Sequence, residues 1–245
     1  MLIKVSTLDN IKVFHYDLVT STQDLAKDYL EKNYVPAVFI ADAQSSGYGK
    51  QGRKFYSPKD TGIYFSLTIP NFTYEVKQIS LLTPYVALNL VKALEKFFPS
   101  INFKIKWVND IYIANQKIAG ILTEFYNGGL IIGVGININT TSFPSDLQKT
   151  ATSITDDSFN KEKISSSLIN ATSYAVKNYN KDNFLDNYRA YSNILNQKIK
   201  FKAGNKLYCG RALEINDQGQ LIVMDDSDHK KLTFSSGEIT KIILN

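Results

Sequence analysis

The chain has 245 residues, 44% of them hydrophobic and 21% charged. That is an ordinary globular composition, long enough for one large domain or a large one with a small companion. The net charge of +5 is mild; it suits an anionic substrate such as a nucleotide and gives little support to nucleic-acid binding. Cys209 is the only cysteine, which excludes an internal disulfide and fits a reducing cytoplasm; no signal-peptide core and no run of roughly 18 apolar residues is present.

In chain order, Ser21-Thr22-Gln23-Asp24 has capping-box spacing, a hydroxyl followed three residues later by a carboxylate. Leu25, Tyr29 and Leu30 then share one helical face. Val38-Phe39-Ile40-Ala41 reads as a buried strand, followed by the loop Ser46-Gly47-Tyr48-Gly49-Lys50-Gln51-Gly52-Arg53-Lys54-Phe55. Glycines let backbone approach an anion closely, and Lys50, Arg53 and Lys54 supply charge, so the loop suits a phosphate or a carboxylate. A solvated surface loop fits the same residues. Ile63 to Ile69 is a second strand, ended by Pro70, and a helix is expected from Tyr85 to Phe98 with Pro84 near its first turn.

Four strand-like pieces follow: Phe103 to Trp107, Asp110 to Ile113, Ala119 to Phe125 and Leu130 to Ile138. Asn115-Gln116 reads as a tight turn and Asn127-Gly128-Gly129 as a hairpin turn. Residues 140–159 read as a loop, and two further helices are marked by Ile164, Leu168, Ala171 and Ala175 and by Phe184, Tyr188, Tyr191 and Leu195. After about Gln197 short alternating runs separated by turn residues fit a small β-barrel. The expected class is α+β, with a large domain over 1–196 and a small barrel over 197–245.

Three further motifs could carry chemistry. Lys106-Trp107-Val108-Asn109-Asp110 brings a cation, an amide and a carboxylate to one strand junction; on spacing alone, a β-turn with Asn-Asp chosen for its geometry is the better reading. Lys117 stands at the mouth of the apolar strand Ile118-Ala119-Gly120-Ile121-Leu122, where its charge costs desolvation unless it meets an anion or snorkels to water. Gly133-Val134-Gly135-Ile136-Asn137 puts two glycines in a strand, a mark of close approach by a ligand or by another backbone. His15 and His229 have no partners at metal-ligand spacing.

The order of these motifs resembles the biotin–protein ligases, whose loop reads G-R-G-R-x-G-R, whose turn reads K-W-P-N-D, and whose strands read K-L-A-G-I-L and G-I-G-I-N. The resemblance is strong over residues 18–140 and continues to Phe234-Ser235-Ser236-Gly237-Glu238-Ile239, which is similar to the closing barrel strand. It implies a catalytic domain related to class II aminoacyl-tRNA synthetases, an SH3-like barrel, and a two-step reaction. Biotin and ATP first give biotinyl-5′-AMP with Mg²⁺, and the biotinyl group then passes to a lysine of a carboxylase's biotin carboxyl carrier protein. Lys117, Arg53 and Lys50 are the implied catalytic cations. Ser21, Thr22, Gln44, Gly47, Tyr48, Lys117 and Gly120 are the implied biotin site. Lys50, Arg53, Phe55, Lys106, Trp107, Asn109 and Asn137 are the implied nucleotide site, and Asp110 the implied Mg²⁺ ligand.

Tyr48 and Lys50 replace two loop arginines of the family, and Val108 replaces a proline. Lysine lacks the planar bidentate grip of arginine, so retention of the intermediate is the property these changes touch. Strand-like residues reach Ser21 directly, so the enzyme-only form without a DNA-binding domain is expected, cytoplasmic, with no DNA or membrane partner; a homodimer is compatible with the sequence. A lipoate or octanoate ligase or transferase shares the fold but lacks the basic loop and the Lys-Trp-x-Asn-Asp turn, and Cys209 is badly placed for the cysteine nucleophile of the octanoyl transferases. A nucleic-acid-binding module would need a basic, aromatic barrel face, whereas the barrel carries Asp225, Asp226, Asp228 and Glu238.

Overall fold

A computed structural model describes residues 1–243. The chain opens on a hairpin, β1 (Leu2–Leu8) and β2 (Ile11–Val19), joined through Asp9 and Asn10, both at positive φ. Helix α1 (Thr22–Leu30) leads to β3 (Ala37–Gln44), and a loop connects to β4 (Gly62–Ile69). Helix α2 (Leu82–Glu95) is followed by β5 (Phe103–Lys106), β6 (Asp110–Ile113), β7 (Gln116–Tyr126) and β8 (Gly129–Asn137). These strands form one eight-stranded mixed sheet in the order β1-β2-β3-β4-β8-β7-β6-β5, in which only β2 and β3 run parallel. Helices α3 (Lys161–Asn178) and α4 (Leu185–Tyr191) precede a five-stranded antiparallel sheet of β9 (Lys198–Ala203), β10 (Lys206–Ile215), β11 (Leu221–Asp225), β12 (Lys231–Phe234) and β13 (Glu238–Ile243). The class is α+β, as expected. Residues 244 and 245 of the expected barrel lie outside the described residues.

Strand alternation sorts the large sheet into two faces. Ile63, Phe65 and Leu67 of β4 and Leu130, Ile132, Val134 and Ile136 of β8 point into the main core, where Val86, Leu90 and Leu94 of α2 and Leu168 of α3 meet them. The opposite face carries Ser66, Gly133 and Gly135, and α1 covers part of it with Ala26 and Leu30 over Phe39 and Ile131. Among the described residues no helix is long and apolar enough to cross a membrane.

Several boundaries differ from the sequence reading. The capping box is not formed. Ser21 does cap α1, but its oxygen accepts from Gln23 N at 3.2 Å, and Asp24 is turned away to accept from the Tyr48 hydroxyl at 2.7 Å. Helix α2 starts three residues earlier than Tyr85, because a 3-10 turn over Ile79–Leu81 feeds it; Pro84 then sits among the first-turn amides that need no intrahelical partner. The β6–β7 turn is Ala114-Asn115, with Ala114 at positive φ, one residue before the expected Asn115-Gln116. The β7–β8 hairpin turns through Asn127 and Gly128, both at positive φ, the conformation that Asn-Gly favours. The expected closing strand from Phe234 to Ile239 is split: β12 pairs with β11 and β13 with β9, so Ser235-Ser236-Gly237 is a connection between them.

The small sheet docks on the large one through Trp107, 3% exposed, whose Nε1 donates to Gly219 O at 3.0 Å. Ser80 Oγ donates to Gln218 O at 2.7 Å, and Arg189 Nε to Ile215 O at 2.6 Å. Leu90 is fully buried between α2 and the sheet. Leu90→Ala is expected to cost about 2–5 kcal/mol, the range for truncating a core leucine. An unchanged denaturant midpoint would contradict this packing.

Candidate active site

A cleft of about 390 Å³ opens on the face of the large sheet beside α1, between the basic loop and the small sheet. Its floor is bare for a reason written in the strands. Gly120 of β7 and Gly135 of β8 are cross-strand partners, and Gly133 faces Leu122 one pair further on. A Cβ on Gly135 would stand 2.5 Å from the Phe55 ring, and one on Gly133 would stand 2.4 Å from Gln23 Oε1. The missing side chains are therefore where Phe55 and Gln23 lie against the sheet.

The loop after β3 folds as a short hairpin. Gly49 N donates to Arg53 O at 2.8 Å and Phe55 N to Gly47 O at 2.8 Å, and Gln51 and Gly52 turn the tip at positive φ. Gly47 does not line the cleft. It sits at the base of the hairpin, where a Cβ would stand 2.7 Å from Gln44 Nε2. Tyr48 is anchored to α1: its hydroxyl donates to Asp24 and accepts from Lys27 Nζ at 3.1 Å. Burial, then the Asp24 carboxylate, push the Tyr48 phenol up to about 12.

The cleft's charge comes from Lys50, Arg53, Lys54, Lys106, Lys117 and Lys202, set against one carboxylate, Asp110. Lys117 reaches that carboxylate through a defect in the sheet. β6 and β7 pair Ile111 with Ala119 but Tyr112 with Lys117, so Ile118 is an extra residue. Ile118 is fully buried in the core, and the bulge turns Lys117 to the cleft face, where its Nζ lies 2.7 Å from Asp110 Oδ1. The turn between β5 and β6 is held by Asn109, whose Nδ2 donates to Ile121 O at 3.0 Å and whose carbonyl accepts from Ile121 N at 2.9 Å.

Burial holds Lys50 below the ordinary lysine value; Asp110 opposes that shift and Arg53 adds to it. Burial lowers Lys106 too, with Asp110 again opposing and Lys117 and Arg53 adding. Lys106 Nζ lies 3.3 Å from the Tyr112 hydroxyl and 5.3 Å from the centre of its ring.

The inner end of the cleft is neutral and polar. Gln44 Oε1 accepts from Thr22 N at 2.8 Å and lies 3.2 Å from Thr22 Oγ1, while Gln44 Nε2 donates to Ser57 Oγ at 2.9 Å. Ser66 Oγ donates to Gln23 Oε1 at 2.9 Å and lies 3.0 Å from Thr22 Oγ1. Ser66 has spent its proton, so the Thr22 proton is shared between Ser66 and Gln44, and the Thr22 lone pairs are left to accept. Ser21 accepts from Gln23 N and, among the described residues, its own proton has no hydrogen-bond acceptor. Asn137 is 4% exposed; its Nδ2 donates to Thr152 O at 3.2 Å, and its Oδ1 has no hydrogen-bond partner.

Of the residues named from the sequence, all but Gly47 line this cleft. Trp107 does so with its indole N–H already given to Gly219, which makes it a joint between the sheets as well. The sequence reading missed Gln23, Ser66 and Tyr112, and it missed that residues 140–159 fold back over Lys117: Lys117 N donates to Thr150 O at 2.8 Å and Thr152 N to Lys117 O at 3.0 Å. It also missed Lys202 of the small sheet and Ser236 and Gly237 of its β12–β13 connection at the rim. The capping position of Gln23 was the one local signal for any of these. Cys209 lies on β10 with its thiol 3.4 Å from Asp226 Oδ2, outside the cleft lining; burial and Asp226 raise its pKa, the wrong direction for a nucleophile.

The model of the biotin/lipoate A/B protein ligase family matches residues 16–140. The chain is 28% identical over 236 residues to the bifunctional ligase/repressor BirA of Bacillus spizizenii, covering 90% of this chain and 71% of that one. It is 25% identical over 213 residues to the biotin–[acetyl-CoA-carboxylase] ligase of Mycobacterium tuberculosis, covering 84% and 79%. In fold it is similar to the Aquifex aeolicus biotin protein ligase solved with biotin and ATP, at a TM-score of 0.80, 24% identity, and coverage of 93% and 97%.

The lowered lysines make a proton-linked prediction. Above neutrality Lys50 and Lys106 release protons before exposed lysines do, and an anion in the cleft favours their charged forms. Binding of sulfate in alkaline buffer is therefore expected to take up protons, beginning at a lower pH than ordinary lysines would require. Calorimetry in buffers of different ionisation enthalpy measures the uptake; an enthalpy independent of buffer would show that neither lysine is involved.

Proposed function

Because the chain belongs to the biotin/lipoate A/B protein ligase family, we propose that it is an ATP-dependent biotin–protein ligase. It joins biotin to AMP and passes the biotinyl group to a lysine of a biotin-accepting carboxylase subunit. The observation that carries the biotin reading is the polarity at the inner end of the cleft. Thr22 offers lone pairs beside Ser66, and Ser21 offers a proton. A cyclic urea has two N–H donors and one carbonyl acceptor, which meets both. Lipoyl and octanoyl tails bring neither, and would leave buried polar groups unmet, which is an expensive mismatch.

In the first step biotin's carboxylate oxygen attacks the α-phosphorus of ATP, and the bond to pyrophosphate breaks. Two anions must approach each other, so preorganised cations matter more than acid–base groups. In this reading Lys117 lies between carboxylate and phosphate, with Lys50, Arg53 and Lys106 on the phosphates. Phe55, packed against Gly135, is the surface for adenine, and Asn137 Oδ1 accepts from the nucleotide. In the second step the acceptor's lysine nitrogen attacks the carbonyl carbon of the mixed anhydride, AMP departs, and the amine loses a proton. The name of the Mycobacterium tuberculosis relative supports acetyl-CoA carboxylase as the source of the acceptor, here read as its biotin carboxyl carrier domain.

The donor set fits magnesium only as a passenger of the substrate. Among the described residues no group of three His, Cys, Asp or Glu could hold a metal, and Asp110 already faces Lys117. Magnesium needs few protein ligands when phosphate oxygens are available, so Asp110 would hold it together with the triphosphate and lower the charge on the phosphates.

Lys117→Ala is expected to lower biotin-dependent pyrophosphate exchange into ATP by about 10²–10³, as loss of one preorganised charge does, with the melting temperature checked in parallel. The exchange is run with biotin, lipoate and octanoate. Near-normal exchange in a folded Lys117→Ala protein, or exchange driven by lipoate rather than biotin, would sink the assignment.

A second expectation concerns the loop hairpin. Arg53 and Lys54 are exposed at its outer arm, and an adenylate would bring phosphate charge against that arm. Biotin with ATP should protect the bonds after Lys50, Arg53 and Lys54 from trypsin, and ATP alone should protect them much less. First cuts at these bonds whose rates ignore both ligands would show that the hairpin is not a lid.

A further inference from the structure

Glu124 sits on β7, on the same face as Gly120 and four residues beyond it, outside the cleft lining. Both of its carboxylate oxygens are engaged from α1. Oε2 accepts from Gln23 Nε2 at 2.8 Å, and Oε1 accepts from Lys27 Nζ at 3.2 Å. Lys27 in turn donates to the Tyr48 hydroxyl at 3.1 Å, which donates to Asp24. One half-buried carboxylate therefore touches two branches, one leading to the inner end of the cleft and one to the loop.

The first branch has a direction. A carboxylate only accepts, so the Gln23 amide must turn its nitrogen to Glu124 and its oxygen inward. That oxygen takes the Ser66 proton at 2.9 Å, and Ser66 is left as an acceptor beside Thr22. Were the amide reversed, Ser66 would accept from nitrogen and turn its own proton toward Thr22, taking one of the two lone pairs there. The acceptor character that the cleft offers to ligand N–H groups is thus set by a charge that the ligand does not touch. Gly133 is part of the same device, since any Cβ there would collide with Gln23 Oε1.

We propose that Glu124 is a positioning residue. Through Gln23 it fixes the hydrogen-bond polarity of the site that receives the N–H groups of the substrate's head, and through Lys27 and Tyr48 it anchors the loop. The inference rests on the biotin reading and adds to it a residue that selects for N–H-bearing substrates without contacting them.

Glu124→Gln tests it, because the variant keeps the shape and can donate to Gln23 as readily as accept. The expected result is a KM for biotin about tenfold higher or more, the effect of losing one charge-assisted hydrogen bond, with kcat changed by less than about threefold and the melting temperature held. Lys27→Met cuts only the loop branch. It should speed release of labelled biotinyl-AMP while leaving the biotin KM within about twofold. A Glu124→Gln enzyme with unchanged KM overturns the proposal, as does one whose kcat falls along with its melting temperature. A Lys27→Met enzyme whose biotin KM rises as far as that of Glu124→Gln overturns the Gln23 branch. Absence of biotin-dependent exchange in the unmodified protein would overturn the biotin reading, and this inference with it.

Discussion

The contact between Lys117 and Asp110, 2.7 Å long, depends on one extra residue in β7. Without the bulge at Ile118, strict alternation would send Lys117 to the face where Ala119 and Ile121 are packed in the main core, and a lysine there would lose its charge or unfold the site. With the bulge, Ile118 enters the core and the lysine enters the cleft. The contact then organises its surroundings. It neutralises the single carboxylate among the cleft's cations, ties β6 to β7 where Asn109 locks the turn, and receives the fold-back of residues 150–152 on the same residue's backbone.

The cleft divides by chemistry into two ends, and the division follows from which elements meet there. The inner end is built from α1, β3 and β4, whose Ser21, Thr22, Gln44 and Ser66 are neutral; Thr22 bonds to Gln44 and Ser66, and Ser21 accepts from Gln23 N. The outer end is built from the loop and the β5–β6 turn, which bring cations whose burial lowers Lys50 and Lys106. Such an arrangement favours a ligand that is polar and uncharged at one end and strongly anionic at the other. Between the two ends the glycines of the floor let Phe55 and Gln23 lie against the sheet. The small sheet closes the rim through Lys202 and the neighbouring Gly237, and its Gly219 turn is held by the Trp107 indole, so the second sheet is part of the site's wall.

Tyr48 illustrates how a departure from the family pattern is accommodated. An arginine at that position could bring charge to a ligand; tyrosine cannot. Its hydroxyl instead joins the loop to Asp24 and Lys27 of α1, and the raised phenol pKa, about 12, keeps it a hydrogen-bond donor throughout the neutral range. The loop is thereby braced at its base while Lys50 and Arg53, further along, carry the charge.

The sequence by itself determined the elements with strong period and the identity of the chemical groups. Strands such as Ile63 to Ile69, the Asn127-Gly128 hairpin and the order of the four motifs are local properties, set by alternation, turn chemistry and spacing. The same local rules misplaced what depends on context. The capping box failed because Asp24 found Tyr48, and the expected last strand split because β12 and β13 found different neighbours. Only the tertiary structure decided which way Lys117 points, that residues 140–159 cover it, and that Glu124 orients Gln23 from 101 residues away. Periodicity reports which residues leave water; it carries no record of which buried donor meets which acceptor. Those pairings are fixed when the sheet closes and each polar group must find a partner.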